Sequence, residues 1–314
     1  MNKRLLFFVF FILYISCSSG DEIYFIGNSM ENNSKIVING FVNADSGCIV
    51  NISRSIPAIS QGQNLLDTLK IEGVHIILFE NGDSIAELTK NSSNIKYQYV
   101  ARQFVPKIGA QYKIRASAPN FSNCESEEET LLAKPILKDT SFFFNSNAAQ
   151  NDPIGIFKFK IGDDININRF YEIEPYATSN SFSLSTSAQG LTSNNSTVLE
   201  SNTVQDQAKT CSNSFFSNLS IIISNSCYNL NQILGYSVKA TAQTIINGKN
   251  ANNFKYVSLT VSSVPTSYFK FQKANETTSN SQYTYNVPNQ LYTNIKGGYG
   301  IFYTKNAIRL SRQK

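Results

Sequence analysis

From Lys35 onward the chain alternates apolar and polar residues with a period of two. Ile36, Ile38, Gly40 and Val42 fall on one face of the first run, and Tyr112, Ile114 and Ala116 on one face of Gln111–Ala116. A period of two marks a strand with one buried face. Val74–Glu80 is a β-branched run closed by Asn81-Gly82, a strong hairpin signal, and Ser84–Leu88 returns from it. Tyr97–Ala101 adds another strand before the turn Pro106-Lys107-Ile108-Gly109. Six or seven short strands in about 100 residues predict a β-sandwich over 34–138. The acidic segment Glu125–Glu129 reads as a solvated, strandless run, followed by an extended connector from Ala133-Lys134-Pro135.

A second alternating pattern opens at Ile156–Ile161, where Phe157, Phe159 and Ile161 face inward. It continues through Arg169–Glu174, Leu219–Ser224, Gly235–Thr244 and Tyr256–Ser263, with a short helix at Tyr268–Ala274 and long polar loops over 178–214. The expectation is an all-β protein of two sandwiches. The first, 34–138, is immunoglobulin-like or transthyretin-like; the second, 139–314, is larger.

The pattern before Lys35 is different. Lys3 and Arg4 precede an apolar run, Leu5–Ile15, which has the length of a secretory h-region and is shorter than the ~20 residues of a membrane span. Tyr14-Ile15-Ser16-Cys17 resembles a lipoprotein cleavage box, with Tyr14 where Leu is usual. The expectation is a signal peptide over 1–16, an acylated Cys17, and a tether through residue 33. The acids Asp21 and Glu22, close behind the cysteine, are similar to tethers that direct such proteins to the cell exterior. The predicted address is therefore the outer membrane, lipid-anchored and facing outward.

Composition narrows the chemistry. Charged residues are only 16% of the 314, and removing Lys3 and Arg4 lowers the net charge from +5 to +3, which with scattered basic residues gives no nucleic-acid footprint. Four cysteines remain after Cys17, and Cys48, Cys124, Cys211 and Cys227 allow three disulfide connectivities or four free thiols. Pairing within each proposed domain gives Cys48–Cys124 and Cys211–Cys227. No C-x-x-C spacing suggests zinc.

His75, the single histidine, lies in an apolar strand with no G-x-S-x-G elbow to serve, and reads as structural. Counted from Asp164, an EF-hand loop would need Gly at Arg169 and Glu at Pro175, so that motif fails. No cofactor and no metal are expected. Trp is absent while Tyr numbers 16, which leaves glycan stacking on tyrosine open.

Several stretches resemble one family. They are Lys35–Val42, Gly73-Val74-His75-Ile76, Gly109–Ile114, Phe170-Tyr171 and, above all, the close Leu291–Phe302 with Gly297, Gly298 and Gly300. The family is the Bacteroidota domain of unknown function 4249. The resemblance implies an outer-membrane lipoprotein accessory to a TonB-dependent receptor, and it carries no catalytic residues. A glycan-binding or adhesive module and a hydrolase with an unrecognised site are the rivals. Tyr292, Tyr299 and Phe302, around the glycines, are the candidate partner-binding residues. The other reading of this close is a glycine bend that joins core strands.

Overall fold

The structure is a computed structural model. It describes residues 34–55, 69–91, 98–101, 103–144, 153–162, 169–178, 197–201, 214–216, 220–227, 233–240, 256–280 and 292–313. The predicted signal peptide, Cys17, the tether, Cys211 and the Asp163–Asn168 segment lie outside these residues. By compactness, residues 34–314 form one unit.

The first strands are β1 (Ile36–Asn43), β2 (Gly47–Arg54), β3 (His75–Glu80), β4 (Asp83–Glu87), β5 (Thr89–Lys90), β6 (Gln98–Ala101), β7 (Gln111–Ser117), β8 (Cys124–Ser126) and β9 (Glu129–Thr130). Then follow β10 (Leu137–Phe144), β11 (Pro153–Ile161), β12 (Phe170–Thr178), β13 (Thr197–Ser201), β14 (Ser214–Phe216), β15 (Ile221–Ser224), β16 (Leu234–Ala240) and β17 (Tyr256–Val264). Helix α1 (Thr266–Asn280) starts directly after Pro265, and the chain ends with β18 (Ile295–Lys296) and β19 (Tyr299–Gln313). The fold is all-β, as the alternation predicts. Asn81 and Gly82 both take positive φ, 51° and 89°, which is the turn their hairpin requires.

Three sheets build two cores. A nine-stranded sheet runs β14-β15-β12-β17-β19-β1-β2-β6-β5. Its β1–β2 side packs on a six-stranded sheet containing β3, β7 and β8, with Ile36, Ile38, Val50, Ile76, Leu78, Tyr112 and Ile114 among the buried residues. Its β12–β17 side packs on a four-stranded sheet, β10-β11-β16-β13, around Phe157, Phe159, Tyr171, Ile173, Tyr236, Leu259 and Val261. The chain passes from the first core at Leu131 to the second at Leu137.

One placement differs from the division of the sequence at residue 138. Ile295 and Phe302 sit in the first core, not the second. The reason is β19. Its first half, Tyr299–Lys305, runs parallel to β1, and its second half, Asn306–Gln313, pairs antiparallel with β17. One 15-residue strand therefore belongs to both cores and makes their sheets one. The acidic segment is also not strandless. Glu125 pairs opposite Arg115 on β7 and Lys296 on β18, and its carboxylate accepts from Arg115 Nη2 at 2.7 Å and Lys113 Nζ at 3.1 Å.

Candidate functional site

The closing motif is a structural clasp. Asn294, almost fully buried, makes a two-way bond with Phe302: Nδ2 donates to the Phe302 carbonyl at 2.7 Å, and Oδ1 accepts from its N–H at 3.0 Å. Nδ2 also reaches Glu129 Oε1 at 3.1 Å. Gly300 has φ +102°, and a Cβ there would lie 2.0 Å from the Ile38 carbonyl oxygen. At Gly298 a Cβ would meet the Ile36 carbonyl at 2.6 Å. Only glycine lets this segment lie against β1, so the bend joining core strands is what the structure shows.

The three aromatic candidates separate accordingly. Phe302 is fully buried in the first core and cannot meet a partner. Tyr292 is half-buried against the cluster under α1, with Lys270 Nζ 5.8 Å from its ring centroid. Tyr299 is 45% exposed, with Lys35 Nζ 5.0 Å over its ring.

The proposed Cys48–Cys124 disulfide is absent: both thiols are free. Cys48 is on β2 in the nine-stranded sheet and Cys124 on β8 in the six-stranded one, each filling the core from its own side. Burial raises the Cys48 thiol pKa far above its ordinary value and pushes Cys124 up to about 11, while the Ala116 carbonyl accepts from Cys124 Sγ at 3.7 Å. Cys227 is disulfide-bonded; its proposed partner Cys211 lies outside the described residues. His75 is exposed, on the outer face of β3, with Nε2 3.1 Å from Glu87 Oε1.

Among the described residues the densest ionisable cluster is one that no local sequence pattern marks. Glu172 and Glu174, two apart on β12, share Lys305 of β19. Lys305 Nζ donates to Glu172 Oε2 at 2.7 Å and to Glu174 Oε2 as well. Tyr268, from α1, donates its hydroxyl to Glu172 Oε1 at 2.6 Å and stacks on Tyr303 with centroids 4.1 Å apart. Gln272 Nε2 donates to that same hydroxyl at 2.9 Å. Burial and the neighbouring Glu172 charge push Glu174 up to about 7, against the pull of Lys305 and Arg309. The two carboxylates raise the Lys305 pKa despite its own burial. Every group here is spent on another, and the cluster is closed by the helix.

An open site lies elsewhere, at the side of the first core. Leu88 carries the chain from one sheet to the other, its N–H bonded to the Ile76 carbonyl at 2.9 Å. Beside that crossing is a cleft of about 590 Å³ lined by Ile85, Ala86, Glu87, Val100, Gln103 and Phe104, among others. That volume falls in the range of ligand pockets.

The loop after Phe104 is held rigidly. Tyr112, fully buried, accepts from the Lys107 N–H at 2.7 Å and donates to Glu80 Oε2 at 2.7 Å, while Lys107 Nζ pairs with Glu80. This bracing leaves Val105 82% and Ile108 62% exposed. With Ile85 and Tyr299 these are the exposed large hydrophobic residues of the first core's segments among the described residues. A sequence signal existed in Phe104-Val105-Pro106-Lys107-Ile108, an apolar run where a turn should be polar.

Among the described residues, no group of three His, Cys, Asp or Glu side chains could hold a metal ion, and no helix is long and apolar enough to cross a membrane. No curated protein matches the chain. A solved structure similar to it is that of extracellular domains 3–5 of Drosophila OTK, at 10% identity over 74% of this chain and 62% of that one, with a TM-score of 0.20. The chain thus spans less than two thirds of that structure, and at this score the likeness carries no argument. The model of a family described as a domain of unknown function, DUF4249, matches residues 23–308, and the chain belongs to that family.

Proposed function

We propose that this chain is a lipid-anchored, non-enzymatic binding protein of the outer membrane, accessory to a TonB-dependent transporter. The observation that carries the reading is the pair of exposed apolar side chains, Val105 and Ile108, on the braced loop after Phe104. Exposed apolar side chains grouped on a rigid loop mark an interaction site. The lipoprotein-like box ending at Cys17 supports the address, and an acyl chain contributes about 0.8 kcal/mol per buried methylene to anchoring. The charged groups that could do chemistry, Glu172, Glu174 and Lys305, are committed to each other beneath α1.

The test is extraction of the tagged full-length chain from native membranes. The intact mass should lack residues 1–16 and carry lipid on Cys17, and a TonB-dependent transporter should co-purify. A soluble, unacylated product overturns the anchor, and an acylated protein recovered without a transporter overturns the accessory role.

A further inference from the structure

Helix α1 is held to the sheet at one end. Among its described side chains the buried ones, Ser267, Tyr268 and Phe269, are consecutive and lie in the first turn. Phe269 stacks on Phe170 with centroids 4.5 Å apart, and Tyr268 stacks on Tyr303. From Phe271 to Asn275 every residue is only half-buried. A helix packed along its length would bury every third or fourth residue instead.

The segment is also a poor helix former. Of its 15 residues only Lys270, Gln272, Lys273, Ala274 and Glu276 favour a helix strongly; the rest are Thr, Ser, Asn and aromatics. No acid lies in the first turn and no base in the last to complement the helix dipole. A helix of this length is marginal in water by itself. Away from the sheet α1 therefore unwinds, so detachment and melting are one event.

The surface beneath it is apolar and continuous. Strands β15, β12, β17, β19 and β1 lie side by side in that order. They contribute in turn Ile222, Phe170, Val264, Ile301 with Tyr303, and Phe41. The strands do not depend on the helix. Each is laddered on both sides, and their other faces fill the two cores.

We propose that α1 is a detachable strap, which peels from the sheet and unwinds while both cores stay folded, and so uncovers this five-strand apolar face. Its latch is the ion cluster. The Tyr268 hydroxyl donates to Glu172, whose other oxygen accepts from Lys305, and Lys305 also pairs with Glu174. Glu174 faces Glu172 on its own strand, Lys305, Arg309 and Tyr303 of β19, and Tyr268 of α1. Burial and the Glu172 charge raise its carboxyl from 4.5 to about 7 in the closed form, and water admitted by opening returns it toward 4.5. The closed form therefore binds this proton more tightly. Opening is suppressed below pH 4.5 and grows as pH rises through 7.

Native-state amide exchange on the full chain, corrected for intrinsic rates, tests the strap. At pH 8 the α1 amides should exchange at least about tenfold faster than those of β17 and β19, and dilute urea should speed the strands but not α1. Between pH 5 and 8 the α1 opening constant should rise at least about tenfold, and in Glu174→Gln that rise should vanish. Tyr268→Phe should speed exchange in α1 and leave β17 unchanged. Equal protection and equal urea dependence in α1 and the strands overturn the strap, because the helix then opens only with the whole fold. A Tyr268→Phe chain that does not fold overturns it as well. A pH rise that persists in Glu174→Gln overturns the ion-cluster latch. The strap stands or falls without the accessory role, which concerns the loop after Phe104.

Discussion

The two faces of β19 are built from different chemistry, although both are buried. On one face Phe302 enters the first core and Ile308 and Leu310 pack against the second, with Thr304 and Asn306 between them. Those two polar residues bond to β9 and the residues just after it, Thr304 Oγ1 to the Thr130 carbonyl at 2.7 Å and Asn306 Nδ2 to the Leu132 carbonyl at 2.8 Å. On the other face Ile301 and Tyr303 lie under α1 with Phe269 and Val264, and Lys305 follows with its two glutamates. The first face is held by area removed from water, the second by the mutual satisfaction of charges that would each be costly alone. Such a buried pair adds little net stability, yet removing one member is severe.

The largest expected losses break one face each. Phe302→Ala empties a fully buried site in the first core and should cost about 3–5 kcal/mol. Lys305→Met keeps the volume but strands Glu172 and Glu174, and should cost about 3–5 kcal/mol as well. Urea unfolding with a fixed slope measures both. The faces part on repair. Replacing Glu172 and Glu174 by Leu and Tyr268 by Phe in the Lys305→Met background should return most of the stability, since no buried charge is then left unpaired. If the loss persists in that variant, the charges are net stabilising and the contrast between the faces is wrong.

A smaller effect sharpens the comparison through pH. Glu174 is raised from an ordinary 4.5 to about 7 in the folded chain, so between those values the folded state holds a proton that the unfolded state has released. Stability from this group is then full below pH 4.5 and falls as pH rises through 7, by about 3 kcal/mol at most. Glu174→Gln removes that dependence. The difference between wild type and Glu174→Gln should decline from pH 4.5 to 7. A flat difference would mean that Lys305 fully offsets the burial of this carboxyl.

The same two faces explain what was legible in the sequence. Alternation announces apolar faces, so Ile36–Val42, Phe157–Ile161 and Val257–Val261 could be read directly. β10 could not, because as an edge strand with Lys138, Asp139, Thr140 and Ser141 exposed and a register shift between Lys138 and Ser141 it carries no clean period. The Lys305 cluster was hidden for another reason. Its members are 133 residues apart in the chain, and a lone buried lysine looks like a surface one until the topology brings β12 and β19 to either side of β17. The glycine close was visible as a motif, but its purpose, contact with β1, depends on a parallel pairing that no local pattern specifies. The cleft depends on where Leu88 changes sheet, which is likewise a tertiary fact.

The smallest predicted effect comes from the end of β19 that neither core nor helix covers. Tyr299 shares its strand face with Ile301 and Tyr303 but is 45% exposed, and Lys35 Nζ lies 5.0 Å over its ring. An exposed cation–π contact contributes about 0.5–1 kcal/mol. The aromatic ring is also replaceable by solvent without opening a cavity. Tyr299→Ala should therefore cost at most about 1 kcal/mol, a fraction of the Phe302→Ala loss three residues away. Lys35→Met should cost the same, and the double variant no more than either alone, because both remove one contact. A Tyr299→Ala loss as large as that of Phe302→Ala would show that the motif's exposed aromatic is part of the clasp, and that Gly300 and Asn294 do not hold the strand end by themselves.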